Sequence, residues 1–207
     1  MKLKIVKFKS VRSTNDEAIK LIRSNKYLLG LASAESQTTG RGTRGKKWIS
    51  LKGNIFISVF FKVNLLKIKI ENYLIINAKI IKKILCEYTK EIIKIKKPND
   101  LLINGGKICG ILQEVIEHKK EKYLITGIGI NTKIAPSNID FKCTSLKMNS
   151  NKNINNKTII NKIKMNYDKL VYDINNHNSL YVKKKIQIKN ENINWRYRKH
   201  INKTMFN

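Results

Sequence analysis

The first part of the chain changes from a two-residue to a helical repeat of apolar positions. Over residues 2–9 apolar side chains alternate with lysines, a pattern that predicts a half-exposed strand. Thr14 then stands three residues before Glu17, and a hydroxyl followed at that spacing by a carboxylate is the sequence of a capping box. A helix is therefore predicted to begin here. The apolar residues that it would turn toward the core are Ala18, Leu21 and Ile22.

The middle of the chain predicts three strands, a loop and a long helix. Residues 28–34 and 53–62 are apolar enough to be strands, and the stretch between them is too rich in Gly, Thr and Ser to be regular. Helical spacing over residues 72–88 predicts a long helix that packs on a sheet. Residues 91–95 return to a strand, which ends before Pro98 because proline has no N–H donor. The residues of this helix predicted to face the sheet are Leu74, Ile75, Ala78, Ile81 and Leu85.

A hairpin follows and decides the fold class. Residues 101–103 and 107–115 are predicted strands, joined by Asn104-Gly105-Gly106, whose glycines are expected to supply positive φ. Residues 123–130 form another strand and residues 157–174 another helix. Because the hairpin disfavours a doubly wound parallel sheet, we predict an α+β fold with a mixed, largely antiparallel sheet backed by helices.

Length and composition set the broad class of protein. The chain has 207 residues, of which 42% are hydrophobic, enough for the core of one domain or at most two. Cys86, Cys109 and Cys143 are widely spaced, so we expect three buried, reduced thiols rather than disulfides or a zinc site. The N-terminus has no continuous apolar segment of a secretory signal, and no apolar run is long enough to span a membrane. We therefore expect a cytoplasmic protein with no membrane partner.

The charge is strongly positive, with 43 Lys and Arg residues against 14 Asp and Glu residues and a net charge of +29. Such an excess is typical of nucleic-acid-binding proteins. The chain is also crowded with Asn and Ile and poor in Pro and Ala, which favours a compositional bias spread over tolerant surface positions. Arg41 and Arg44 are more informative than the lysines, since both lie in a glycine-rich loop where a guanidinium suits a phosphate or carboxylate.

This loop, residues 40–48, combines three glycines, two arginines, two lysines and Trp48. Glycines let the backbone approach a ligand closely, and the cations neutralise its charge, so the loop predicts a polyanion site. It is not a Walker loop, which needs Gly-Lys-Ser/Thr, nor a dinucleotide fingerprint, which follows a strand and opens a helix.

Five motifs in a fixed order carry a resemblance to the catalytic domain of a biotin protein ligase. They are Ser13-Thr14-Asn15, residues 35–39 (Glu-Ser-Gln-Thr-Thr) with the loop of residues 40–48, residues 96–101 (Lys-Lys-Pro-Asn-Asp-Leu), residues 107–112 (Lys-Ile-Cys-Gly-Ile-Leu) and residues 127–131 (Gly-Ile-Gly-Ile-Asn). The resemblance implies a fold like that of class II aminoacyl-tRNA synthetases. It also implies an ATP-dependent ligase that makes biotinyl-5′-AMP and transfers biotin to a lysine of a biotin carboxyl carrier protein domain, from acetyl-CoA carboxylase or a related carboxylase.

The resemblance assigns roles position by position. Lys107 and Arg41 would be catalytic, Lys107 by stabilising charge at the α-phosphate. Biotin would contact Ser13, Thr14, Asn15, Gln37, Gly40, Arg41, Gly42, Thr43, Lys107, Gly110, Gly127 and Gly129. ATP would contact Arg41, Arg44, Trp48, Asn99, Asp100, Lys107 and Asn131. The three glycines Gly110, Gly127 and Gly129 would leave room for the biotin rings, and Trp48 would stack on adenine.

The resemblance also implies cofactors and a domain layout. ATP would bind with Mg²⁺, and Asp100 would help hold the ion or orient a loop; no other metal ligand is assigned. Residues 1–176 would form the catalytic domain and residues 177–207 a short basic tail in place of the family's usual small β-barrel. We expect no winged helix before the domain and no specific DNA binding.

Two positions depart from the family pattern, and three alternatives stay open. Thr43 stands where the family usually has a second Arg, and Lys97 replaces a Trp. The first alternative is a lipoate protein ligase of the same superfamily, and the second an inactive ligase remnant. The third is a basic RNA-binding protein, suggested by the net charge and by Trp195-Arg196-Tyr197-Arg198.

Overall fold

A computed structural model describes residues 2–66, 68–97, 99–137 and 140–177. Within these residues the chain forms one sheet and three α-helices. The strands are β1 Lys4–Val11, β2 Gly30–Gln37, β3 Ile55–Lys62, β4 Ile93–Lys96, β5 Asp100–Ile103, β6 Gly106–His118 and β7 Glu121–Ile130. The helices are α1 Thr14–Arg23, α2 Ile70–Leu85 and α3 Asn156–Asn176.

The seven strands form a single sheet in the order β1-β2-β3-β7-β6-β5-β4. β1 and β2 are parallel, and the other neighbouring pairs are antiparallel. The sheet is therefore mixed and largely antiparallel, and together with the three α-helices this confirms the predicted α+β class.

The two faces of the sheet have different coverings. On the back face α2 and α3 pack over the larger apolar core, which takes Ile57 and Val59 from β3. On the front face α1 packs against a smaller cluster that includes Phe60. Because successive side chains of a strand point to opposite faces, β3 buries both sets and reads as a continuous apolar run. The front face beyond α1 is left open, and the cleft described below lies there.

The first helix begins one residue earlier than the capping box predicted. Ser13 is the N-cap, with extended backbone, and its hydroxyl accepts the Asn15 N–H at 3.3 Å. Thr14 is the first helical residue, so its hydroxyl is free to point away from the helix end. Glu17 forms an ion pair with Lys20 instead of a capping contact. The expected inward residues of this helix are all buried.

Other local expectations need smaller corrections. In α2 Leu74 and Ile75 are only half-buried, and Tyr73 and Ile76 take the inward positions. The hairpin turn consists of Asn104 and Gly105, which have φ of 48° and 77°. Gly106 already pairs with Ile103 in the sheet, so its φ is not positive. An Asn-Gly pair with both φ positive is the form that a two-residue hairpin turn requires.

The cysteines and the chain ends also bear on the expectations. All three cysteines are free, but Cys109 alone is buried, Cys143 is half-buried and Cys86 is exposed. The predicted tail lies outside the described residues from position 178 onward, as do Pro98 and the Trp195–Arg198 segment. Across the helices that the structure describes, none has the length and apolar character needed to cross a membrane.

Candidate active site

A cleft of about 850 Å³ opens on the front face of the sheet. Its walls are the N-terminus of α1, the glycine-rich loop, the paired strands β6 and β7, and the segment that follows β7. The sequence-predicted residues that line it are Ser13, Thr14, Asn15, Gln37, Arg41, Gly42, Thr43, Arg44, Trp48, Asn99, Asp100, Lys107, Gly110, Gly127, Gly129 and Asn131. Gly40 does not line the cleft. Its position is fixed by packing, since a Cβ there would lie 2.6 Å from the Trp48 carbonyl oxygen.

The inner end of the cleft is a buried polar array at the start of α1. Gln37 Oε1 accepts the Thr14 N–H at 2.8 Å and lies 3.1 Å from the Thr14 hydroxyl, while its amide donates to Ser50 at 3.1 Å. Ser13, Thr14 and Asn15 are each at most 3% exposed. These side chains hold one another in place before any ligand is present.

Ser58 is the floor of this array and was not predicted as a site residue. Its hydroxyl lies 2.7 Å from Thr14 Oγ1 and also contacts Asn15 Oδ1. A serine hydroxyl has one hydrogen, so it donates to only one of these oxygens at a time. It sits on the front face of β3 opposite Gly127, where a Cβ would collide with the Asn15 amide. The sequence does hold a signal for it: Ser58 is the one hydroxyl in the apolar strand β3, and a buried hydroxyl needs a hydrogen-bond partner.

The glycine-rich loop folds back on itself as a small hairpin. The Trp48 N–H donates to the Gly40 carbonyl at 2.9 Å, and the Gly42 N–H donates to Lys46 at 2.7 Å. At its tip Arg44 and Gly45 both have left-handed backbone, with φ of 59° and 74°. Glycine adopts this conformation readily, which explains the third glycine of the motif.

Arg41 ties this loop to the rest of the domain. Its guanidinium forms ion pairs with Asp16 on α1 and with Glu114 on β6, the latter at 2.9 Å. Burial works to lower the pKa of Arg41, but the hydrogen bond to Asp16 and the charge of Glu114 outweigh it and raise that pKa above its ordinary value. Glu114 also accepts from the Asn15 amide. Neither acid was predicted from sequence, because an isolated carboxylate carries no local signal.

The other cations of the loop are in a different state. Arg44, Lys46 and Lys47 are exposed, and within the described part of the chain their side chains have no hydrogen-bond or ion-pair partner. Thr43 is half-buried and its hydroxyl likewise has no partner there. These side chains are free to meet a ligand that enters the outer end of the cleft.

Two of the predicted glycines meet Trp48 instead of open space. A Cβ on Gly110 would lie 2.7 Å from the indole, and a Cβ on Gly129 would collide with it. The absence of side chains there therefore admits the indole, while Gly127 admits Asn15. The indole Nε1 is buried without a hydrogen-bond partner among the described residues. The structure thus places Trp48 and Asn15 against these three glycines, and their contact with the biotin rings stays a prediction.

Lys107 stands at the centre of the cleft with its side chain 17% exposed. Its backbone is fixed on both sides, since its N–H donates to Lys142 at 2.8 Å and its carbonyl accepts from Thr144 at 3.0 Å. Its ammonium lies 2.8 Å from Asp100 Oδ1. That oxygen has no aligned hydrogen-bond donor among the described residues, so the contact is an ion pair without hydrogen-bond geometry.

The two predicted asparagines are largely structural here. The Asn99 side-chain amide donates to the Ile111 carbonyl at 3.0 Å, and the Asn99 backbone carbonyl accepts the Ile111 N–H at 2.9 Å, which extends the pairing of β5 with β6. Asn131 is fully buried and its amide lies 3.3 Å from the carbonyls of Lys107 and Thr144. Its Oδ1 is buried with no hydrogen-bond partner among the described residues.

The described residues contain no group of three or more His, Cys, Asp or Glu side chains that could hold a metal ion. Asp100 and Asp140 are the carboxylates that line the cleft without binding Arg41. Mg²⁺ keeps several waters and is commonly held by one or two carboxylates together with substrate phosphates. The residues present therefore fit an ion that arrives with a nucleotide.

Comparison with known proteins places the chain among acyl ligases. Residues 7–131 match the model of the biotin/lipoate A/B protein ligase family. The bifunctional ligase/repressor BirA of Bacillus subtilis is 33% identical over 127 residues, which are 60% of this chain and 39% of that protein. The biotin--[acetyl-CoA-carboxylase] ligase of Mycobacterium tuberculosis is 30% identical over 143 residues, 65% of this chain and 51% of that protein. The chain thus spans about half the length of these relatives or less.

Solved structures agree with the fold. The biotin protein ligase of Aquifex aeolicus, in complex with biotin and ATP, is 26% identical with a TM-score of 0.71, covering 88% of this chain and 76% of that one. The enzyme of Leishmania major, in complex with biotinyl-5-AMP, is 24% identical with the same TM-score of 0.71, covering 89% and 80%. The resemblance first drawn from five short motifs is confirmed, and the chain belongs to the biotin/lipoate A/B protein ligase family.

Proposed function

We propose that this chain activates biotin with ATP and transfers it to a lysine of a biotin carboxyl carrier protein domain. The observation that carries the proposal is the buried polar array of Ser13, Thr14, Gln37 and Ser58, which opens onto Lys107 and the cationic loop. Two relatives that are at least 30% identical are named biotin--[acetyl-CoA-carboxylase] ligases, which favours biotin over lipoate within the family.

The inner end of the cleft suits the ureido ring of biotin. A cyclic urea has two N–H donors and one carbonyl acceptor. The array offers Thr14 and Gln37 oxygens as acceptors, and the Ser13 hydroxyl hydrogen is a donor not used in capping. Lipoate has no such group, and a site built for polar partners rejects a ligand that leaves them unpaired.

The outer end suits the chemistry of adenylation. The biotin carboxylate oxygen attacks the α-phosphorus of ATP, the bond to the β-phosphate oxygen breaks, and pyrophosphate leaves. Negative charge grows on the α-phosphate oxygens in this step. Lys107, whose ammonium is held by Asp100, is the cation proposed to stabilise that charge. Arg44, Lys46 and Lys47 are the unpartnered cations proposed to meet the polyphosphate.

Transfer follows in the same cleft. The amine of the acceptor lysine attacks the acyl carbon of biotinyl-5′-AMP, AMP leaves with the bonding electrons, and the new amide loses a proton. We propose that Mg²⁺ enters with ATP and is held by Asp100 and the phosphates, where it offsets phosphate charge. The acceptor would be the carrier domain of acetyl-CoA carboxylase or a related carboxylase, and the compartment the cytoplasm.

One assay tests the proposal. The purified chain is incubated with MgATP, labelled biotin and a carrier domain, and labelled carrier is measured by mass spectrometry. Controls are a carrier whose acceptor lysine is replaced by Arg, and lipoate in place of biotin. We expect labelling of the intact carrier with biotin alone. Labelling of the carrier with lipoate at a comparable rate would favour the lipoate ligase, and no labelled carrier with either acid would rule out both.

A further inference from the structure

Phe141 is an exposed aromatic residue whose position the apolar core does not explain. Its side chain is 48% exposed, and it belongs to neither apolar cluster of the described residues. Its ring centroid nevertheless lies 5.4 Å from the ammonium nitrogen of Lys107, within the range of a cation–π contact. Phe141 therefore contacts Lys107 instead of contributing to the apolar core.

The backbone next to Phe141 is fixed to the strand that carries the lysine. Residues 142–144 bind the Lys107 N–H and carbonyl through two backbone hydrogen bonds, as described above, and Cys143 forms a parallel bridge with Lys107. Gly106 packs so closely on Thr144 that a Cβ would lie 3.0 Å from it. The ring is thus held in register with the lysine by main-chain contacts.

The ammonium has a second aromatic neighbour and one carboxylate. The Trp48 ring centroid also lies 5.4 Å from Nζ, and Asp100 lies 2.8 Å away. An aromatic face attracts the ammonium through its quadrupole, whereas a second carboxylate would accept a hydrogen bond from one of its three N–H donors. The surroundings of Lys107 therefore restrain its ammonium and still leave donors for a phosphate.

We propose that Phe141 is a positioning residue for Lys107: its ring face holds the ammonium where the α-phosphate charge develops during adenylation. The inference rests on the proposed function, since it concerns the rate of that step. Its specific content is electrostatic. A ring of the same shape with less negative charge on its face should position the lysine less well.

The test replaces Phe141 in the full chain with mono-, di- and trifluorophenylalanine by amber suppression. Adenylation is followed by single-turnover pyrophosphate release, and folding by the thermal midpoint. We expect the rate to fall stepwise with each fluorine, by about tenfold over the series, with an unchanged midpoint and unchanged affinity for biotin. Shape is nearly constant in this series, so a merely structural role would not give a graded loss.

Ordinary variants provide an independent check. Phe141→Leu should slow adenylation by about 2- to 30-fold. Phe141→Tyr, which keeps an aromatic ring, should have the same adenylation rate as the unmodified chain. Met148→Leu is the matched control, an exposed apolar residue that does not line the cleft, and it should leave the rate unchanged. A flat fluorine series in a protein that makes adenylate overturns this inference alone. An unmodified protein that makes no adenylate overturns the proposed function and this inference with it.

Discussion

The two ends of the cleft are built in opposite ways. At the inner end Thr14, Gln37 and Ser58 are tied to one another and packed between α1 and β3. At the outer end Arg44 and Lys46 project from a loop with no partner among the described residues. A rigid end can select a ligand by shape and hydrogen bonding, whereas a loose end of positive charge suits a polyanion that has to enter and leave.

Arg41 and Lys107 stand between these two ends. Both are cations already matched by carboxylates, Arg41 by Asp16 and Glu114 and Lys107 by Asp100. Their charge is thus held in position without a ligand, and ligand binding has to compete with these ion pairs. We therefore expect substitutions at the inner end of the cleft to change binding or rate strongly and independently of salt. Substitutions of the exposed lysines at the outer end should have small effects that salt removes.

Lys107→Ala should have the largest effect. Loss of a cation that contacts charge present only in the transition state should lower the adenylation rate by about 10²- to 10³-fold, with biotin affinity nearly unchanged. Single-turnover pyrophosphate release and a biotin titration measure the two quantities. Lys94→Ala on β4, which β5 separates from β6, is a control outside the cleft. A rate within about threefold of the unmodified protein would remove Lys107 from the mechanism.

Ser58→Ala tests the rigid end. Without this hydroxyl the buried Thr14 and Asn15 oxygens lose a common partner, so biotin affinity should fall by about 10- to 100-fold. The maximal adenylation rate should change far less. Isothermal titration with biotin measures the effect, and Ser33→Ala on neighbouring β2, outside the cleft, is the matched control. Equal losses of biotin affinity in the two variants would show that the polar array does not contribute specifically to biotin binding.

Thr43→Arg tests whether the loose end can be tightened. A guanidinium can make charge-assisted, two-pronged hydrogen bonds to anionic oxygens, and the Thr43 hydroxyl cannot. Release of preformed biotinyl-5′-AMP should slow by about tenfold for each 1.4 kcal/mol gained. Stopped-flow dissociation is compared for the unmodified chain, Thr43→Arg and Arg44→Ala. If only Arg44→Ala changes release, and raises it sharply, Arg44 already performs this role.

The smallest effect is expected for the exposed lysines of the loop. Replacing Lys46 and Lys47 together by Gln should lower kcat/KM for MgATP by about two- to threefold at low ionic strength, because long-range attraction weakens. Added salt should remove the difference, since exposed charges are screened over roughly 10 Å at 0.1 M. A loss that persists in high salt would instead indicate direct, ordered contacts. Steady-state kinetics at two salt concentrations decide between them.

Sequence reasoning failed at particular residues for physical reasons. The spacing of Thr14 and Glu17 predicts Thr14 as the helix cap, but Ser13 also carries a hydroxyl, and only the backbone conformation distinguishes the two. Gly110 and Gly129 are predicted to leave room for biotin rings, and another group does lie close to both of them. What approaches them is Trp48, whose path depends on how the glycine-rich loop folds back as a hairpin. Local patterns identify the need for space and cannot identify its occupant.

The sequence by itself determined the family, the fold class and most of the residues that line the cleft. Apolar periodicity is set by which face of an element is buried, and the motifs of the family are short and contiguous, so both can be read along one chain. Only the tertiary structure brought Ser58, Glu114 and Phe141 to the site. These residues lie on β3, on β6 and after β7, and contacts between such distant positions depend on strand order and register. The sequence of one strand does not specify which strand pairs with it, so these three side chains could not be assigned to the site from the sequence.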